Sequence, residues 1–117
     1  MGIEWINHKG KRILYIDYGK LSVPEMVAQV KKATETLVAS GSSQNLTLSN
    51  ISDAFVNNEF IAVAKEHSKI SLPLTKKTAV VGVTGVKKIL LKGLNTFTSK
   101  PRVPFDTIEQ AKDWLVQ

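Results

Sequence analysis

The chain contains no cysteine. That removes disulfides, thiolate zinc sites, iron–sulfur clusters and cysteine nucleophiles together, and it fits a reducing compartment. Histidines number two, His8 and His67, and neither has an acid cluster at ligand spacing beside it. No metal site and no cofactor are therefore expected. No apolar run reaches the roughly 18 residues that a membrane-spanning helix needs. No cationic leader precedes an apolar stretch, so the expectation is a cytoplasmic protein whose membrane association would be limited to surface contact. Repeats, low-complexity tracts and Gly/Pro-rich linkers are absent, which predicts a single domain over residues 1–117.

What is present is ordinary globular composition: 117 residues, 43% apolar and 22% charged, enough for one modest core. The charge is uneven. Lys and Arg number 16 against 10 Asp and Glu, a net +6. From Lys65 to Arg102 there are nine cations and one acid, Glu66, so this stretch carries +8 and the rest of the chain −2. Such a segment can attract phosphates, acidic lipid or an acidic protein; it can equally be a solvated face that keeps the protein soluble.

Local patterns predict the order of elements. Ile3 to His8 and Lys11 to Tyr18 read as two strands around a Lys9-Gly10 turn. Ser22 begins a helix with Pro24 in its first turn and Glu25 closing a capping box. Met26, Val27, Val30, Ala33, Leu37 and Val38 follow helical spacing, and Ser40-Gly41 ends the helix. Asn45 to Asn50 is a short strand with Leu46 and Leu48 on one face. Asn57 caps a second helix running to about Lys69, with Phe60, Ile61, Ala64 and His67 inward. Pro73 blocks its continuation. Thr78 to Val83 reads as the strongest strand, and its apolar run on both faces marks it as a central one. Thr84 is expected to cap a third helix over residues 84–98, with Val86, Ile89, Leu90, Gly93, Leu94 and Phe97 inward and Leu91 exposed. Arg102 to Phe105 is a short edge strand, and Thr107 caps a last helix, with Ile108, Ala111, Trp114 and Leu115 inward. The predicted fold is α/β: an N-terminal β-hairpin, then alternating α and β, giving a mixed, mostly parallel five-stranded sheet with four helices and right-handed crossovers.

Three stretches carry a resemblance to a known family. Thr78-Ala79-Val80-Val81-Gly82-Val83 is similar to its central strand. Val103-Pro104-Phe105-Asp106, leading into Glu109, Ala111, Trp114 and Leu115, is similar to its closing strand and helix. Leu46-Thr47-Leu48-Ser49-Asn50-Ile51 is placed like the strand before its regulatory loop. Together they resemble the SpoIIAA-like family, in the wider group that includes STAS domains and CRAL-TRIO lipid-transfer domains. The resemblance implies a STAS-like binding module without catalysis, recognising a protein partner or a small hydrophobic or anionic ligand. STAS antagonists carry a phosphorylated Ser at the start of a helix. The corresponding segment here is Ala54 to Phe60 and has no Ser or Thr, so the resemblance implies an unswitched partner surface at Asn57, Asn58 and Glu59. The same three residues also read simply as a helix cap and its first turn.

The residues themselves suggest one further site. Gly82-Val83-Thr84-Gly85-Val86-Lys87-Lys88 runs from the end of a strand into the start of a helix, where backbone amides and the helix dipole favour an anion. Thr84, Gly85, Val86, Lys87 and Lys88 are thus candidate anion or ligand contacts, although G-x-x-G-x-K-K matches neither a Walker A loop nor a dinucleotide fingerprint. The third helix, apolar on one side and bearing Lys87, Lys88 and Lys92, also suits peripheral contact with an anionic membrane. Nucleic-acid binding is not favoured, because the basic stretch holds only one aromatic, Phe97, and single-strand binders interleave several with their cations. No G-x-S-x-G elbow supports a serine nucleophile. Self-association through the edge hairpin is compatible with the pattern, which does not define an oligomeric state.

Overall fold

Lys9 and Gly10 both take positive φ, 50° and 81°, as a two-residue type I′ hairpin turn requires. The flanking strands β1 (Ile3–His8) and β2 (Lys11–Asp17) pair antiparallel from Ile3↔Ile16 to His8↔Lys11. The computed structural model describes residues 2–96 and 98–117. After the hairpin come α1 (Val23–Ala39), β3 (Asn45–Asn50), α2 (Asn58–Ser71), a 3₁₀ turn at Leu72–Leu74, β4 (Thr75–Val81), α3 (Val86–Asn95), β5 (Val103–Phe105) and α4 (Ile108–Leu115). The sheet order is β1-β2-β3-β4-β5, parallel everywhere except at the hairpin. This is the predicted α/β architecture of five strands and four helices.

From β2 onward each crossover steps to the next strand in the same direction. Crossovers of one hand that step one way put their helices on one face. The packing follows that rule. Leu14, Ile16 and Val80 pack with Met26, Val30 and Leu37 of α1, Phe60 of α2 and Leu91 of α3. The alternate strand residues Ile13, Leu46, Leu48, Ala79 and Val81 pack on the opposite face with Ala111 and Leu115 of α4. A period of two along each strand thus feeds two separate cores.

The caps form where the local chemistry predicts them. The Ser22 hydroxyl accepts from Glu25 N, and the Glu25 carboxylate accepts from Ser22 N, completing the box. The side chain of Asn57 accepts from Phe60 N and that of Thr107 from Gln110 N. Each such cap stabilises its helix by about 1 kcal/mol.

Five expectations are corrected. The strand placed at Thr78–Val83 lies at Thr75–Val81, because the chain enters the sheet directly after the Pro73 turn and leaves it at Gly82, whose φ is 94°. The third helix, expected over 84–98, spans Val86–Asn95. Its N-cap is Gly85, at φ 57° and ψ −132°, with no side-chain cap, so Thr84 does not cap it. Its inner face is also rotated. Leu91 is buried, while Val86 and Ile89 are 64% and 71% exposed. Burying a large aliphatic side chain stabilises by about 1.5–3 kcal/mol. The two stripes share Leu90 and Leu94, and the observed face adds Leu91 together with Lys87, whose Nζ is held by the carbonyls of Ile51 and Ser52. Val38, expected inward on α1, is exposed as well. Phe97, expected on the inner stripe, lies outside the described residues.

Candidate functional site

Between the sheet and the layer formed by α1, α2 and α3 lies a cavity of about 120 Å³. Its floor is Ile16 of β2, Thr47 and Ser49 of β3, and Thr78 and Val80 of β4. Its walls include Val30, Ala33 and Leu37 of α1, Phe60, Ile61 and Ala64 of α2, and Leu90, Leu91 and Leu94 of α3. Short side chains explain the space. Thr47, Ser49, Ala33 and Ala64 stand where longer apolar residues would interdigitate and fill the layer. The Thr47 hydroxyl bonds to that of Thr78 at 3.0 Å, which satisfies part of the polar floor.

One end of the cavity is polar and positively charged. Arg102, in the segment leading into β5, sends its guanidinium against α2, where Nη2 donates to Ser68 Oγ. Ser68 in turn donates to Ala64 O at 2.7 Å, closing back onto its own helix. Asn95 at the end of α3 fixes the Arg102 main chain: its Oδ1 accepts from Arg102 N and its Nδ2 donates to Arg102 O, both at 2.9 Å. Arg102 Nη1 and His67 Nδ1 are buried, and among the described residues neither has a hydrogen-bond partner. Both residues line the cavity. No carboxylate pairs with Arg102 among the described residues. Burial pulls the guanidinium's pKa below its ordinary value, and the neighbouring Tyr18 opposes part of that shift. Tyr18 also lines the cavity, its ring packed edge-on against Phe60 with centroids 5.3 Å apart. Burial pushes its phenol pKa up, so the hydroxyl keeps its proton. The arrangement is an apolar chamber with a fixed, unpaired cation at one end.

No family model matches the chain, and a search among curated proteins finds no relative.

The residues singled out in the sequence are divided by the fold. Thr84, Gly85 and Val86 are exposed at the start of α3. The two amides that follow are already engaged, Lys87 N with Thr84 O and Lys88 N with Gly85 O, each at 3.1 Å. The two lysines part company. Lys87 turns onto the inner face, where Nζ donates to Ile51 O at 2.7 Å and Ser52 O at 3.3 Å, and it joins the cavity lining. Lys88 stays exposed. Gly82 packs so closely on Ser52 that an added Cβ would lie 2.4 Å from its backbone. Ligand crevices beyond strand ends arise where strand order reverses, and β2 to β5 contain no reversal. At the start of α2, Asn57 is occupied as a cap while Asn58 and Glu59 are exposed.

The basic stretch is partly consumed inside the fold. Lys77 donates to Trp114 O and Gln117 O, binding the carbonyl end of α4. Lys100 donates to Leu72 O and Thr75 O beside the 3₁₀ turn. With Lys87 and Arg102, four of the nine cations act on the protein's own backbone or face its interior.

Sequence reading missed Thr47, Ser49, Thr78 and Arg102 as cavity residues. The first three left a signal. They alternate with Leu46, Leu48 and Ala79 on strands that are covered on both faces, and hydroxyls there mark an interior that is not close-packed. Arg102 left none, because its placement depends on a contact with Ser68 of α2, 34 positions away in sequence.

Proposed function

We propose that this protein is a non-catalytic binding module that holds a small, mainly apolar ligand between its sheet and the α1–α3 layer. The observation that carries the reading is the apolar chamber with partnerless polar atoms at one end. Ligand pockets in general combine an apolar lining with a few placed polar groups. A bound ligand would also stabilise the fold by mass action. The SpoIIAA-like resemblance supports binding over catalysis, and a small hydrophobic or anionic ligand is among the occupants it implies. The test is cavity filling. Ala64→Leu should abolish calorimetrically detected binding of a small apolar probe such as benzene while leaving the circular dichroism spectrum unchanged. Unchanged binding would reject the cavity as the site.

A second reading has its own observation. Val86 and Ile89 are exposed on the outer face of α3, and Lys88 and Lys92 are exposed on the same helix, which carries no acid. That face suits peripheral contact with an anionic bilayer. Ile89→Glu should reduce co-sedimentation with phosphatidylserine vesicles at low salt; an equal bound fraction would remove this reading.

A further inference from the structure

We propose that the ligand is a monocarboxylate with an apolar chain, its carboxylate held by Arg102 Nη1 and His67 Nδ1 and its chain laid against Phe60, Leu90 and Leu91. This rests on the cavity reading and adds the chemistry of the head group.

Burying a cation without an anion is costly, and proteins normally pair or solvate such a group. Arg102 has neither remedy on its Nη1 side: that atom is out of solvent and has no partner among the described residues. Its other terminal nitrogen is tied to Ser68, a neutral hydroxyl that leaves the charge uncompensated. The side chain is nevertheless anchored, since Asn95 clamps its main chain from both sides. A cation held in place and left unpaired inside an apolar chamber is a receptor for an anion. His67 adjoins Ser68 on the same helix, and its Nδ1 is the second buried atom without a partner. In the tautomer that carries the proton on Nδ1, it donates to the same head group.

The count of open donors selects the anion. Arg102 Nη1 and His67 Nδ1 are without partners among the described residues, while the ammonium of Lys87 already donates to the carbonyls of Ile51 and Ser52. Two donors match the two oxygens of a carboxylate and leave the third terminal oxygen of a phosphate without one. A carboxylate also fits the planar donor geometry of arginine. The leucine, valine and phenylalanine walls favour hydrocarbon for the rest of the molecule, because a polar group laid against them would lose its water without gaining a partner.

The experiment is calorimetric titration of the full chain with hexanoate, 1-hexanol and hexylamine, three probes of equal chain length and different head groups. Hexanoate should bind roughly tenfold or more tightly than hexanol, as a charge-assisted hydrogen bond requires, and hexylamine should be weakest. Arg102→Met should erase the preference for hexanoate over hexanol, while Arg102→Lys should keep part of it. His67→Phe should weaken hexanoate alone. Equal binding of hexanoate and hexanol, or a preference that survives Arg102→Met, overturns the head-group assignment and leaves the cavity reading in place. Absence of binding by all three overturns both. If Arg102→Met does not fold, the Arg102 Nε–H resonance of the unaltered protein decides the matter. It should move on adding hexanoate and not on adding hexanol, and a resonance that ignores both overturns the assignment.

Discussion

Asn95 grips Arg102 by both polar groups of one residue's backbone, accepting from its N–H and donating to its carbonyl at 2.9 Å each. The contact joins the end of α3 to the start of β5 across seven positions, and it aims the guanidinium at α2. Asn95→Ala removes both bonds and should lower stability by about 1–3 kcal/mol, as expected for two partly buried hydrogen bonds. It should also weaken any preference for anionic over neutral ligands, because the cation loses its anchor. Urea denaturation checks the first effect and the hexanoate-to-hexanol affinity ratio the second. Asn95→Asp, which retains an acceptor for Arg102 N, should lose less stability than the alanine variant.

Gly82 and Gly85 both hold positive φ, 94° and 57°, yet their surroundings differ. A Cβ on Gly82 would meet Ser52 N and Cα at 2.4 Å, whereas one on Gly85 meets nothing within 4 Å. Gly85→Ala should therefore cost about 1–3 kcal/mol, the penalty of holding a side chain at φ 57° and ψ −132°, a backbone region populated almost only by glycine. Gly82→Ala carries a comparable backbone penalty and a steric clash, so its cost should be clearly larger. Urea midpoints of the two variants, compared at equal slope, give the order; equal losses would show that the Ser52 contact yields freely.

Asp113 ties α4 to the hairpin. Its Oδ1 lies 2.7 Å from His8 Nε2 and 3.1 Å from Lys9 Nζ. Hydrogen bonds from His8 first, and then from Lys9, hold its pKa below the ordinary carboxylate value of 3.8. A carboxyl depressed in the fold contributes stability that is present above its unfolded pKa and is lost as pH falls through its folded one. The wild-type chain should therefore lose stability between about pH 5 and 2, and Asp113→Asn should lose less over the same window. Denaturant midpoints measured across that range check the slope. Because the carboxylate is well exposed, the difference should be small and should shrink at high salt.

Much of the architecture was legible from short patterns. The Lys9-Gly10 turn, the Ser22–Glu25 box and the Asn57 and Thr107 caps are local chemistry, and each sits where its residues demand. The orientation of α3 was not legible, because two overlapping stripes share Leu90 and Leu94. The choice between them depends on Lys87 finding the carbonyls of Ile51 and Ser52, residues about 35 positions away in sequence. The same distance hid the cavity. Its floor hydroxyls appear in the sequence as Thr47, Ser49 and Thr78, but its charge comes from Arg102, which local rules assign to an exposed edge. The start of α3 stood out because glycines and lysines adjoin there in sequence, and folding then directed the two lysines to different surroundings.

The most direct test of the cavity is a methyl-labelled nuclear magnetic resonance titration with hexanoate. Val30, Ile61, Leu90 and Leu91 should shift in step along one saturable curve, while Leu115 and Ile89, on the opposite core and the outer face of α3, stay fixed. Shifts confined to Ile89 and Val86, or methyl groups of the chamber that do not respond at any concentration, would contradict the account.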